Sequence, residues 1–538
     1  MPEYTKTKNQ KPKTKNQITW LLFALVIVAV YFFALDLPLL GPDEPRYAQV
    51  AREMFERNDW VTPTLGGANW FEKPALLYWL QIAAYKLFGV SEFAARFGSA
   101  LFGLGTIFSL WILGRNSATE NTEKHREIEN EKILSSFSVN SVAKKDFANW
   151  LALIAASSIG LLAFSRGASF DIILTFPLTA SLVAFFISDQ FRNKSSFTFY
   201  FLLFTFYFFI GVAMLAKGLI GVVFPAAIVA FYFLLSRRLP SKIFVFSLFW
   251  GTCFALLIAS VWYLPMYRAH GWLFIDEFFI QHHFQRYTSN KYQHPQPFYF
   301  FLWVLPLMTL PWLPFFAAAI WDFFKSKIQS PNSKVQTQSK SPRLLFSASP
   351  LLLFSLSWLL VPLVFFSFSG SKLPGYILPA LPAALVLTAK YVWHFRQKSQ
   401  KKKYAVQFVA FAMFAVAAVA LRFVVPAYAA ADTTKYLIET ADANGYRDAK
   451  ILNLHTISHN AEFYGAGRLI RDADGKLKKH FGVSEVAEEI KRQGGKTVLV
   501  LVTLEYLHEL PESNLVESKI LGESGELAIV AVSETSSR

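Results

Sequence analysis

Two short polar motifs lie close together in a sequence that is otherwise mostly apolar. The first runs from Gly41 to Tyr47 and contains Asp43, Glu44 and Arg46, and the second is Phe71-Glu72-Lys73-Pro74. Charged groups are costly beside a bilayer, so those that occur there tend to mark function. A carboxylate can act as a base or stabilise positive charge, whereas arginine and lysine bind phosphate. The two motifs therefore predict a reaction site at a membrane surface.

The composition defines the class of protein. Hydrophobic residues make up 54% of the 538 residues and include 55 Phe, which is too apolar for a soluble chain. Since roughly 17–25 apolar residues cross the hydrocarbon core as a helix, we expect a polytopic α-helical membrane protein with about 11–13 transmembrane helices. The apolar runs lie near 18–35, 92–113, 148–164, 171–188, 197–215, 219–235, 243–264, 298–320, 345–367, 376–393 and 404–426.

The positions of the basic residues predict the orientation. Loops rich in Lys and Arg stay in the cytoplasm, and such residues cluster before the first span and within 237–238, 325–343 and 396–403. We therefore expect a multi-pass protein of the cell (inner or plasma) membrane with a cytoplasmic N-terminus. The net charge of +16 predicts contact with anionic membrane lipids, and no nucleic-acid partner is expected.

These spans divide the chain into three predicted parts. Residues 1–17 form a basic cytoplasmic tail, residues 18–426 a transmembrane catalytic domain, and residues 427–538 a soluble domain on the outer face. Both polar motifs then lie in an outer loop. The predicted loops are 36–91 (outer, catalytic), 114–147 (cytoplasmic) and 265–297 (outer).

The C-terminal part has the pattern of a small α/β domain. Short aliphatic runs at Lys450 to Leu454, Thr497 to Val502 and Leu527 to Val532 predict strands. The stretch from Ser484 to Arg492 predicts a helix, which Gly494-Gly495 would end.

The first motif opens an amphipathic helix. Tyr47, Val50, Ala51 and Met54 recur at helical spacing after Asp43. One interpretation is that Asp43 only caps this helix. The other is that the helix dipole keeps its carboxylate ionised, which suits a base or a stabiliser of a reacting sugar.

The second motif also has two interpretations. Glu72 and Lys73 could be a surface ion pair before the next apolar stretch. However, the lysine has aromatic and apolar neighbours, including Trp70, Phe71 and Trp79, where a cation usually has a partner. A phosphate at the membrane surface would be such a partner.

Four motifs together carry a resemblance to a known family. The two motifs above are followed by Gln281-His282-His283-Phe284-Gln285-Arg286-Tyr287 and by the run from Ser371 to Pro379. In this order they resemble the lipid-linked-sugar glycosyltransferases related to the aminoarabinose transferase of lipid A and to the protein O-mannosyltransferases. The resemblance covers most of residues 18–426.

The resemblance implies a GT-C fold and an inverting sugar transfer. The donor would be a polyprenyl-phosphate-sugar and the acceptor a lipid, glycan or protein on the outer side. Asp43 would be the catalytic carboxylate with Glu44 as its neighbour, and Arg46 and Lys73 would hold the carrier phosphate. The same pocket would receive Lys372 and Tyr376.

A metal and two further contacts remain open at this stage. In relatives a divalent metal can lie near a glutamate and a histidine that correspond here to Glu72 and His283. Two ligands far apart in sequence are not a metal signature, and no cofactor is required by the sequence. Arg286 could bind phosphate or pair with Glu72, and Asp171 could line the cavity or simply end a helix.

Two other classes of function remain as alternatives. A polyprenyl-lipid transporter or flippase would place its polar residues near the bilayer midplane, often in two repeated halves. A lipid-binding membrane protein would use Arg46 and Lys73 without needing Asp43. The charges of this sequence gather in loops, which favours the enzyme.

Overall fold

A computed structural model describes residues 12–117, 146–191, 197–288, 295–328 and 349–535. Within these ranges the side chains of residues 12–16, 283, 286 and 326–328 are not described. The helices before the C-terminal domain are α1 (Pro12–Phe32), α2 (Asp43–Glu56), α3 (Leu76–Phe88), α4 (Glu92–Asn116), α5 (Asp146–Ala156), α6 (Ile159–Phe164), α7 (Phe170–Gln190), α8 (Phe197–Lys217), α9 (Ile220–Leu235), α10 (Lys242–Phe274), α11 (Phe300–Met308), α12 (Leu313–Ile328), α13 (Pro350–Ser367), α14 (Leu381–Gln397), α15 (Gln400–Val419) and α16 (Val425–Asp432).

The described part of the chain contains seven helical stretches that are long and apolar enough to cross a membrane. Shorter apolar helices, α5 and α9 among them, coincide with other predicted spans. The predicted fold class, a polytopic helical membrane protein with a small C-terminal sheet, is confirmed. The number of helices that cross the bilayer stays a prediction.

Two of the predicted spans are interrupted rather than continuous. Residues 157–158 separate α5 from α6, and residues 309–312 separate α11 from α12. The two breaks face each other, since the Ile159 amide donates to the Leu310 carbonyl at 2.8 Å and the Trp312 indole donates to the Ser157 hydroxyl at 3.1 Å. Backbone groups released by a helix break in an apolar region need such partners.

Two helical segments form the centre of the bundle. In α7 and in Pro374–Gln397 the most apolar stretch is 89% buried, whereas in Gln400–Asp432 it is 17% buried. The segment Pro374–Gln397 consists of a 3₁₀ turn, Pro374–Ala380, followed by α14. Helix α7 begins at Phe170, next to Asp171, and the other central segment begins at Pro374, two residues after Lys372 and two before Tyr376. Both central segments therefore begin close to residues for which the sequence predicts a function.

The C-terminal domain is built on a five-stranded sheet. The short hairpin Thr64–Leu65 and Ala68–Asn69, outside this domain, supplies β1 and β2. The elements of the domain are α17 (Lys435–Ala441), β3 (Ile451–Leu454), α18 (Ala461–Tyr464), β4 (Lys479–His480), α19 (Val483–Arg492), β5 (Val498–Thr503), α20 (Glu509–Glu512), β6 (Val516–Ser524) and β7 (Leu527–Glu534). The strands lie in the order β4-β3-β5-β7-β6, with β3, β4 and β5 parallel. The three predicted strands and the predicted helix are present; β4 and β6 were missed.

This domain packs directly on the loop that carries the two polar motifs. The Leu39 amide donates to the Tyr464 hydroxyl at 2.8 Å, and Lys435 pairs with Glu92 at 2.8 Å. Phe463 joins the apolar core that the membrane helices share. The C-terminal domain therefore lies over the first polar loop, residues 36–91.

Candidate active site

The helix α2 presents Asp43 at the edge of the first polar loop. Asp43 is the first helical residue, and the N-cap is Pro42, without a side-chain capping bond. The prediction that Asp43 caps the helix is therefore wrong, because its carboxylate turns to Arg46 one turn later, with 2.6 Å between Oδ1 and a guanidinium nitrogen. The Asp43 side chain is 53% exposed, so its second oxygen remains accessible to a ligand.

Glu44 points the opposite way, into the protein. Its carboxylate accepts hydrogen bonds from the Leu40 amide at 2.8 Å and the Ala168 amide at 2.6 Å. It also pairs with Arg96 at 2.6 Å, and the two side chains are 13% and 5% exposed. Arg96 in turn donates to the carbonyls of Leu35, Leu37 and Pro38. Glu44 and Arg96 thus tie the start of α2 to α4 and to the segment before α7.

Aromatic contacts bring α2 and α3 to the start of α7. The rings of Tyr47 and Tyr78 both pack edge to face on Phe170, with centroids 4.9 and 5.4 Å away. Burial raises the pKa of the Tyr47 phenol, and the nearby Asp43 and Glu72 carboxylates raise it further. Burial and the Glu72 carboxylate likewise raise the pKa of the Tyr78 phenol, so both phenols stay protonated and can act as hydrogen-bond donors.

The second motif lies beside the first. Glu72 and Lys73 are 3.7 Å apart, with side chains 20% and 13% exposed. Trp70, two residues before Glu72, carries the Arg46 guanidinium over its ring at 5.9 Å. The structure therefore places the second motif beside the first, and a shared site for the two stays a prediction.

A second ion pair forms where the two central segments begin. Asp171 pairs with Lys217 at the end of α8, and the ammonium of Lys217 lies 5.0 Å from the centre of the Tyr376 ring. A Cβ atom at Gly375 would overlap the Asp171 carboxylate. Asp171 is thus part of a built cluster with Tyr376, and it is not a solitary helix-end carboxylate.

Lys372 has a different environment from the other cations. Its ammonium donates to the Ser369 carbonyl at 2.6 Å and to the Gln296 carbonyl at 3.0 Å. Burial lowers its pKa. These bonds hold the segment 368–375 against the chain that leads into α11.

The predicted motif around Gln281 is only partly described. A π-helix spans Ile275–Gln285, and Tyr287 accepts from the Gly370 amide at 2.8 Å through its backbone oxygen. The side chains of His283 and Arg286 lie outside the described residues. Within the described chain no group of three or more His, Cys, Asp or Glu residues could hold a metal ion. The metal at Glu72 and His283 stays a prediction.

Sequence reasoning missed Arg96, Lys217 and Phe170. Arg96 had a usable signal, since a charge inside a predicted span requires a partner. Lys217 resembled an ordinary basic residue at a helix end. Phe170 was one phenylalanine among 55.

Comparison with known proteins agrees with this architecture. The profile of the dolichyl-phosphate-mannose-protein mannosyltransferase family matches residues 39–122, which contain both polar motifs. The undecaprenyl phosphate-alpha-4-amino-4-deoxy-L-arabinose arabinosyl transferase of Yersinia enterocolitica is 30% identical over 378 residues, 69% of this chain and 58% of the relative. The corresponding protein of Shewanella sediminis is 30% identical over 391 residues, 70% of this chain and 61% of the relative. This chain therefore spans 58–61% of the length of these relatives.

Two solved structures share the fold over nearly the whole chain. The crystal structure of ArnT from Cupriavidus metallidurans in the apo state has a TM-score of 0.72 at 19% identity and covers 96% of this chain and 98% of that one. The structure of the same protein bound to undecaprenyl phosphate has a TM-score of 0.68 at 21% identity, covering 95% and 97%.

The protein is a polytopic membrane protein whose fold is shared with the two ArnT structures. Its sequence is similar to the undecaprenyl phosphate-aminoarabinose arabinosyl transferases and, over residues 39–122, to the dolichyl-phosphate-mannose-protein mannosyltransferase family. The resemblance predicted from the four motifs is confirmed.

Proposed function

We propose that this protein transfers a sugar from a polyprenyl-phosphate-linked donor to an acceptor on the outer side of the cell membrane, with inversion at the anomeric carbon. One observation carries the proposal: Arg46, which pairs with Asp43, lies over the ring of Trp70, and the Glu72–Lys73 pair follows Trp70 in the chain, so the two motifs are neighbours in space. The names of the relatives, which specify undecaprenyl phosphate and a transferred sugar, support it.

The cations would hold the phosphate of the donor. Lys73 is the better candidate for a direct contact, because its side chain is 13% exposed and it follows Trp70 and Phe71 in the chain. Arg46 would reach the phosphate while still orienting Asp43, since a guanidinium has five N–H donors. As the bond between the anomeric carbon and the phosphate oxygen breaks, negative charge grows on the phosphate, and these donors stabilise it.

Asp43 would act on the opposite side of the sugar. The acceptor oxygen forms the new bond to the anomeric carbon, and polyprenyl phosphate leaves with the electron pair of the broken bond. A hydroxyl acceptor must also lose its proton, which Asp43 would take. A phosphate acceptor has no proton to lose, and Asp43 would then orient it or stabilise positive charge on the sugar.

Glu44 would support the site without touching the substrate. Its oxygens are occupied by Arg96 and two backbone amides, so we propose a positioning role rather than the catalytic one expected at first. We assign Lys372 a similar role for segment 368–375, which brings Tyr376 to Lys217. If a divalent ion binds, Glu72 is the described residue that would contribute to its site.

A transfer experiment tests the proposal. Membranes containing the protein are supplied with a labelled polyprenyl-phosphate-sugar pool, and label is followed into lipid, glycan and protein fractions. Transfer into one fraction that control membranes lack is expected and would identify the acceptor class. Movement of intact labelled donor across the membrane without transfer would instead indicate a transporter.

We expect Lys73→Ala to weaken binding of undecaprenyl phosphate by about 10- to 100-fold, because a charge-assisted hydrogen bond is lost. Binding to the purified protein in detergent measures the effect. Lys86→Ala is the matched control, since Lys86 lies exposed on α3, with its ammonium over the Trp60 ring at 4.7 Å. An unchanged dissociation constant for Lys73→Ala would remove this residue from the phosphate site.

We expect Gly375→Ala to lower the transfer rate by about tenfold or more, since even a small misplacement of positioning groups is costly. The added methyl group would overlap the Asp171 carboxylate and displace it from Lys217. Gly482→Ala serves as the control, because the nearest atom to its Cβ is 3.9 Å away. Equal rates for both variants would show that the Asp171 cluster does not shape the site.

A further inference from the structure

A groove opens between the first turns of α8 and α10. It has a volume of about 360 Å³, which lies within the range of roughly 300–1,000 Å³ that is usual for small-molecule sites. The first residue of α10, Lys242, lines one end of it. The rest of the lining is mostly apolar and includes Tyr200, Leu203, Ile243, Phe246 and Trp250. A cation at the end of an apolar groove matches the two parts of an anionic amphiphile.

The floor of the groove is closed, and its hydroxyl groups are satisfied within the protein. Leu203 and Ser247 are buried. The Ser247 hydroxyl donates to the Phe244 carbonyl at 2.7 Å and lies 2.9 Å from the Tyr207 hydroxyl. The two helices touch at Gly251, where a Cβ atom would collide with the Tyr207 ring. The groove lies between this contact and the start of each helix.

The walls of the groove face away from the protein. Phe246 is 73% exposed and Tyr200 is 46% exposed. Both helices belong to stretches that are long and apolar enough to cross a membrane, so these rings face lipid there. Tyrosine and tryptophan near the end of a span are typical of the level of the lipid head groups. The groove therefore lies where the head group of a lipid meets its acyl chains.

Lys242 is available to a ligand of opposite charge. It is exposed, and within the described part of the chain it forms no hydrogen bond or ion pair. Arg238, four residues earlier, differs because it pairs with Asp189 at 2.8 Å. The positive end of the dipole of α10 also lies at Lys242 and favours an anion there. A lysine binds a phosphate group as a point charge.

We propose that this groove binds one anionic phospholipid of the bilayer, with its phosphate at Lys242 and an acyl chain along Phe246 and Trp250. Leu203 in the groove and Lys217 in the candidate active site are 14 residues apart in α8, about 21 Å along its axis. The lipid site is thus separate from the candidate active site and lies in the leaflet that the basic residues predict to be cytoplasmic. The inference does not depend on the proposed function.

Lipid binding to the purified full-length protein tests the site. The protein in a non-ionic detergent is titrated with phosphatidylglycerol, with phosphatidylethanolamine of the same acyl chains, or with undecaprenyl phosphate. Native mass spectrometry measures the dissociation constant of the first bound lipid, and inorganic phosphate is added as a competitor in a separate series. Thermal unfolding is followed in the same samples, because a ligand of the folded state raises the unfolding temperature.

We expect phosphatidylglycerol to bind about fivefold more tightly than phosphatidylethanolamine, the effect of one basic residue on an anionic lipid. Lys242→Gln should abolish this difference without changing the binding of undecaprenyl phosphate. Arg237→Gln is the matched control and should keep the difference, since Arg237 is an exposed cation between α9 and α10 outside the groove. Without added lipid, the variants should unfold at the wild-type temperature.

A second pair of variants tests the apolar part of the groove. Phe246→Ala removes part of one wall and should weaken the binding of both phospholipids. Phe249→Ala should not, because Phe249 is 77% exposed on the same helix but does not line the groove.

Four results would overturn the inference. Equal binding of both phospholipids by the wild type, or equal losses in Lys242→Gln and Arg237→Gln, would show that the groove does not select an anionic lipid. Competition by inorganic phosphate at the concentration of the lipid would indicate a phosphate site that needs no acyl chain. Loss of undecaprenyl phosphate binding in Lys242→Gln would assign the groove to the carrier lipid. A protein dimer that Phe246→Ala dissociates would assign it to a second copy of the chain.

Discussion

Replacing Asp43 with asparagine is expected to lower the rate of sugar transfer by at least about 100-fold, the contribution typical of a positioned base or charge stabiliser. Asparagine has nearly the same shape and keeps an oxygen that can accept from Arg46. It lacks the negative charge and the basicity that either proposed role of Asp43 requires. Binding of undecaprenyl phosphate should therefore remain near that of the wild type while transfer is lost.

The control for this variant is a second exposed carboxylate nearby. Asp36 lies seven positions earlier and is also exposed, so Asp36→Asn should leave transfer unchanged. Rates are compared at saturating donor, so that weak binding cannot mimic slow chemistry. Transfer by Asp43→Asn at the wild-type rate would refute the catalytic assignment and would favour a lipid-binding protein.

Replacing Arg96 with leucine should give the largest loss of stability, of about 3–5 kcal/mol, because it leaves the Glu44 carboxylate buried without its charge partner. Three backbone carbonyls before α2 would also lose their donor. Thermal unfolding in detergent measures the change, and limited proteolysis reports whether loop 36–91 becomes accessible. We expect faster cleavage in this loop even where the helices remain folded.

Arg115→Leu provides the comparison, because Arg115 is an exposed arginine near the other end of the same helix, α4. The one interaction described for Arg115 is with the face of the Trp111 ring, whose centroid lies 4.9 Å from the guanidinium. Its unfolding temperature should match that of the wild type. If both substitutions lower the unfolding temperature equally, the effect belongs to α4 as a whole and not to the Glu44–Arg96 pair.

The sequence predicted the residues whose signal is local. Asp43 and Arg46 are one helical turn apart, and their pairing follows from α-helical spacing alone. Lys73 was predicted because its aromatic neighbours along the chain make an unpaired cation costly. The helical spans follow from length and hydropathy, which need no knowledge of tertiary contacts.

Partners far apart in the chain could not be predicted in the same way. Arg96 required a carboxylate, but nothing in the sequence selects Glu44, 52 residues earlier. Lys217 and Asp171 are separated by 46 residues and meet only because α7 and α8 pack side by side. Strand β6 was missed because only one of its nine residues is buried and its pairing shifts register between Ile520 and Gly522, so the alternating apolar pattern is weak.

The packing of the C-terminal domain on loop 36–91 has a consequence for how the protein is made. Leu39 and Tyr464 are separated by 425 residues, so the loop that carries Asp43 leaves the ribosome long before the domain that covers it. Until synthesis reaches Asp432 and then Phe463 in α18, Gly41 and Arg52 lack these distant hydrogen-bond partners of the finished protein. Assembly of the site is therefore among the last events in the biogenesis of this chain, and a ribosome that stalls after α15 would release a membrane-inserted bundle with an uncovered site.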